Sequence, residues 1–176
     1  MAFSLRALFG LPEPATREPD AESVRRIGAA LEQMDATEAR RLACFAFVMA
    51  RVAHVDFDVN DEETRAMEKI VRDFSGLPDA QAALVVEIAK AQNRLVGAID
   101  NYLVTRQLRD SSTLEERHSV LHCVLAVAAS DESITSVEDA EVRRIATELG
   151  FAHTEFIAAR SAFRDKLEIL RQTLPG

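Results

Sequence analysis

Two stretches of this chain repeat one pattern seventy-five positions apart, and each copy follows an apolar helical run. The first reads Ala53-His54-Val55-Asp56-Phe57-Asp58-Val59-Asn60-Asp61-Glu62-Glu63, the second Ala128-Ala129-Ser130-Asp131-Glu132-Ser133-Ile134-Thr135-Ser136-Val137-Glu138. Both reduce to Asp, two residues, an aliphatic, three residues, Glu. Repetition of this kind implies one helix–loop–helix unit used twice, because a unit that cannot bury its apolar face alone packs against its neighbour. The repeat also sets four carboxylates, Asp56, Glu63, Asp131 and Glu138, at equivalent places in the two units.

Around that repeat the chain is rich in Ala, Leu, Glu and Arg, poor in Gly and Pro, and free of alternating β-branched runs. An all-helical fold follows. At 176 residues it forms one domain that buries roughly 70% of its unfolded surface. The net charge of −8 argues against nucleic acid, whose phosphates require a basic, counterion-releasing surface. The pairs Arg25-Arg26, Arg40-Arg41 and Arg143-Arg144 stand among acidic residues and read as solvated helix faces. Cys44 and Cys123 lie inside apolar runs and read as small core residues, which implies a reducing compartment. The longest apolar windows, 43–50 and 120–129, are too short for a bilayer, and no long apolar leader opens the chain. A cytoplasmic protein is expected.

Residues 1–19 stand apart as an arm, either loose or docked on the body, with Phe3, Leu5, Leu8, Phe9 and Leu11 followed by Pro12, Pro14 and Pro19. Residues 3–11 as an interfacial membrane anchor have only Arg6 for electrostatic support. The helical domain runs over 20–176, in units of about 38–108 and 113–171. One helix starts after Asp20 with Val24, Ile27 and Leu31 on its stripe, and a long one follows Thr37 through Leu42, Phe45, Val48, Met49 and Val52. The next carries Met67, Ile70, Val71 and Phe74 and stops at Gly76-Leu77-Pro78, where Pro opens another through Leu84, Val85 and Ile88. A helix around Leu95, Ile99, Leu103 and Leu108 closes the first unit. Thr113-Leu114-Glu115-Glu116 reads as a capping box opening the second, whose helices carry Leu121, Val124 and Leu125, then Val142, Ile145 and Leu149 before Gly150, then Phe156, Ile157, Phe163, Leu167 and Leu170. The sum is a single bundle of seven to eight helices.

The paired Asp-xx-aliphatic-xxx-Glu loops resemble those of the TerB-like, tellurite-resistance-associated proteins. So do Arg143-Arg144-Ile145-Ala146 leading to Leu149-Gly150-Phe151, the run Glu155-Phe156-Ile157-Ala158-Ala159-Arg160, and the stretch Asp100-Asn101-Tyr102-Leu103-Val104-Thr105-Arg106. The resemblance spans roughly Glu38 to Leu167. It implies an all-helical fold with pseudo-twofold symmetry, an acidic patch of Asp56, Glu63, Asp131 and Glu138 where the loops meet, and a role in tellurite resistance or stress response without catalysis. One departure is plain: the family usually has Gly after the loop Asp, and this chain has Phe57 and Glu132.

Two uses of the carboxylates compete. Asn60-x-x-Glu63 and Thr135-x-x-Glu138 both fit a capping box, and each Asp can bond loop amides. Alternatively, four converging carboxylates repel one another, and a hard divalent cation, Ca²⁺, Mg²⁺ or Mn²⁺, relieves the repulsion. An EF-hand does not fit: its glycine place holds Asp61, its bidentate Glu place holds Met67, and the second loop puts Val142 there. Glu115-x-x-His118 and His118-x-x-x-His122 lack the matching Glu-x-x-His that a di-iron bundle needs. Neither His54 nor His153 has a nucleophile beside it by spacing.

The expectation is therefore a non-enzymatic interaction module whose acidic patch binds a divalent cation or a basic protein partner. Two alternatives stand beside it: a metal-dependent enzyme built on the carboxylate cluster, and an adaptor held at a membrane surface by residues 3–11.

Overall fold

Two helices owe their position to being apolar on every side. From Leu42 to Ala50 every residue is buried, and so is every residue from Val120 to Ala128 bar one.

 

His122, half-buried, is the single break in the second run. A helix without a polar face belongs at the centre of a bundle, and the remaining helices pack around these two.

The computed structural model describes residues 21–53, 61–92, 98–129 and 136–173, all helical apart from short turns. The helices are α1 (Ala21–Glu32), α2 (Ala36–Val52), α3 (Asp61–Ser75), α4 (Asp79–Gln92), α5 (Ala98–Asp110), α6 (Leu114–Ala128), α7 (Ser136–Glu148) and α8 (His153–Thr173). The central pair is α2 and α6. Around α2 lie α1, α4, α5 and α7, and around α6 lie α3, α7 and α8. The all-α bundle expected from the sequence is the fold observed. The arm at 1–19, the Asp56–Asn60 segment, Leu95 and the segment with Asp131–Thr135 lie outside the described residues.

Local chemistry sets the ends. Asp35, not Thr37, caps α2, its carboxylate accepting from the amides of Thr37 at 2.9 Å and Glu38 at 3.2 Å, so the helix opens at Ala36. The Thr113–Glu116 capping box is present in full: the Thr113 hydroxyl accepts from Glu116 N–H, and Glu116 Oε2 accepts from Thr113 N–H at 2.7 Å. After α7, Gly150 takes φ 91°, its amide donates to Thr147 O, and Phe151 N–H donates to Ala146 O, each at 3.0 Å. This is a Schellman ending, and it turns buried Phe151 back onto the core. Gly76, after α3, also takes a positive φ, 71°.

Two apolar positions depart from expectation. Leu103 is 53% exposed, because α5 turns Val104 and Leu108 toward the core instead. Ile157 is 45% exposed on α8, where Phe156, Ala159 and Phe163 form the buried stripe.

Candidate functional site

The one buried charged cluster among the described side chains centres on Arg51, in the last turn of α2. Its side chain is 4% exposed. Nε donates to Glu141 Oε1 at 2.7 Å, and one terminal nitrogen donates both to Glu148 Oε2 at 2.5 Å and to Thr105 Oγ1 at 2.7 Å. Thr105, fully buried on α5, passes its own proton to Asn101 O at 2.9 Å. Glu141 is also held from outside by Arg144, at 2.9 Å. Two guanidinium groups thus face two carboxylates, and the cluster is electrically balanced. A lone buried charge is prohibitively unfavourable, so this arrangement exists only as a complete set.

The placement matters more than the bonds. α2 leads into the first acidic segment and α7 leads out of the second, and Arg51 bonds one to the other. In the complementary pairing α3, which leads out of the first segment, packs along α6, which leads into the second. Each unit's second helix therefore lies against the other unit's first.

Of the four candidate ligands, Asp56 and Asp131 lie outside the described residues. Glu63 falls in the first turn of α3 and Glu138 in the first turn of α7, and their side chains too are outside the described set. Among the described residues no three His, Cys, Asp or Glu side chains come together as a metal site.

Other reactive side chains are accounted for by packing. Cys44 and Cys123 are buried free thiols, and burial pushes each up to about 12, far from thiolate chemistry at neutral pH. The His118 ring lies tilted by 56° against Phe151, with centroids 4.7 Å apart, and 6.4 Å from the His122 ring.

The Arg51 cluster was not anticipated from the sequence. Its signal was present: an arginine breaking an apolar run that is otherwise buried, and Glu141 and Glu148 seven apart, on one face of a later helix.

No helix of the described residues is long and apolar enough to cross a membrane. No curated protein and no solved structure matches this chain. The family model described as "Tellurite resistance protein TerB" matches residues 41–161, which take in both acidic segments, the Arg51 cluster and α2 from Arg41 to the first turns of α8. With more than half its length matched, the chain belongs to the TerB family.

Proposed function

We propose that this TerB-family chain is a non-catalytic interaction module of the tellurite and stress response, working in the cytoplasm, whose paired acidic segments bind a divalent cation or the Lys/Arg cluster of a protein partner. The observation that carries this reading is the Arg51 bond between α2 and α7, the stems of the two segments. Carboxylates brought into one region repel until a cation or a basic group joins them. The inert cysteines and the balanced, inward-facing charges around Arg51 favour binding over chemistry.

Thermal unfolding in EDTA, then with millimolar Ca²⁺, Mg²⁺ or Mn²⁺, tests the cation. A ligand that binds only the folded state raises the melting temperature with its concentration. Asp56→Asn with Asp131→Asn abolishes that rise. An unchanged midpoint in all three metals removes the cation and leaves the basic partner as the remaining ligand.

A further inference from the structure

A second site lies away from the acidic segments, in a cleft between the first turns of α2 and α6, closed at one side by the turn after α3 and by the α5–α6 corner. We propose that this cleft binds a small organic cation, a compact apolar body carrying one ammonium group. The proposal is independent of the reading given to the loop carboxylates.

The floor is apolar, made by Leu42, Phe45, Leu108 and Val120, and the space above it is about 100 Å³. For comparison, a dry cavity of about 150 Å³ accepts benzene, so an occupant's apolar part is a branched alkyl group or the greater part of one ring. Charge at the rim decides its sign. Glu116 is satisfied twice: Oε1 accepts from Arg41 at 2.7 Å, and Oε2 accepts from the Thr113 amide at 2.7 Å. Arg41 is thereby neutralised. Glu38 has no such cation; its Oε1 accepts only the neutral amide of Gln81, at 2.9 Å, and its other oxygen is open among the described residues. The rim keeps one negative charge in excess, on a chain whose net charge is −8.

A separate observation concerns a residue at the edge of the same cleft. Ser112 lines it, and its hydroxyl is shut off from solvent without a hydrogen-bond partner among the described residues. A buried hydroxyl left unpaired is unfavourable by about 1–3 kcal/mol. In the free protein its oxygen has no accessible surface in the cleft; no hydrogen bond opposes rotation about χ1, and binding requires that rotation for the oxygen to accept from an ammonium group.

The test titrates benzylammonium, benzyl alcohol and benzoate, equal in size and differing in charge, into the full chain, reading melting temperature and the amide resonances of Leu42, Phe45 and Val120. Benzylammonium is expected to shift those resonances and raise the midpoint, with the other two at least fivefold weaker. Glu38→Gln is expected to remove that preference. Ser112→Ala is expected to leave the midpoint of the free protein unchanged or higher, since no bond is lost, while weakening benzylammonium severalfold. Benzoate or benzyl alcohol binding as well as benzylammonium overturns the proposal, as does a Glu38→Gln protein that binds it equally well. Absence of any resonance shift with all three overturns it too.

Discussion

Arg41 and Glu116 stand seventy-five positions apart, the interval between Asp56 and Asp131, and their side chains meet at 2.7 Å. Residues equivalent under the repeat thus touch each other where α2 and α6 pack. Glu116 serves both this ion pair and the cap of α6. The two roles separate by mutation. Both side chains of the pair are about two-fifths exposed, at 38% and 40%, so a double-mutant cycle on Arg41→Ala and Glu116→Ala should give a coupling below about 1 kcal/mol. Thr113→Ala, which breaks the cap alone, should destabilise by about 1 kcal/mol in urea unfolding. A coupling clearly larger than the loss from Thr113→Ala contradicts this division.

Arg51 has the opposite balance, being almost fully buried with two carboxylates. Arg51→Met strands Glu148, leaves Glu141 with Arg144 alone, and should destabilise by about 3–5 kcal/mol. Adding Glu141→Leu and Glu148→Met to the same protein should restore most of that, because an apolar set of similar volume needs no desolvation of charge. Urea midpoints of the single and triple variants check this; equal midpoints for the two count against it.

The two positive-φ glycines make a comparative prediction. A Cβ at Gly76 meets nothing within 4 Å, while one at Gly150 comes within 3.0 Å of Arg117 Nη1 and 3.2 Å of Arg109 Cδ. Arg117 uses that same nitrogen to bond Leu149 O at 3.0 Å. Gly76→Ala should therefore lose about 1 kcal/mol from backbone strain alone. Gly150→Ala should lose more, and Arg117→Ala should narrow the gap between them.

Burial of the cysteines has a pH signature. Each thiol has its value raised from 9.0 to about 12, so the folded chain keeps protons that the unfolded chain releases. Stability from this source is complete below pH 9 and falls as pH rises from there toward 12. Cys44→Ala with Cys123→Ala should flatten that decline in urea unfolding between pH 8 and pH 10 (approximately the range about the unfolded thiol value). A slope unchanged by the double substitution contradicts it.

How much of this was legible follows from what each residue depends on. Helix content, the Thr113–Glu116 box and the stops at Gly76 and Gly150 are local, set by residues within a turn or two of each other, and the sequence displays them directly. The start of α2 is less legible because two capping types stand two positions apart: Asp35 takes the cap by accepting from the amides of Thr37 and Glu38. Leu103 was misassigned because Leu103 and Val104 are both apolar neighbours on α5, and only packing against α2 and α7 selects Val104. The Arg51 cluster joins α2, α5 and α7 across as many as ninety-seven positions, and a spacing that long carries no pattern a helix period can reveal. For Asp56, Glu63, Asp131 and Glu138 the sequence supplies equivalence under the repeat, and the fold adds the contact between their stems.

Cation binding between the two acidic segments is tested most directly by a crystal grown with Mn²⁺ and measured at a wavelength where manganese scatters anomalously. One anomalous peak is expected, coordinated by carboxylate oxygens from both acidic segments, with at least one of Asp56 and Glu63 and one of Asp131 and Glu138 among the ligands. Ordered segments with no peak between them, or a peak held by one segment alone, would contradict it.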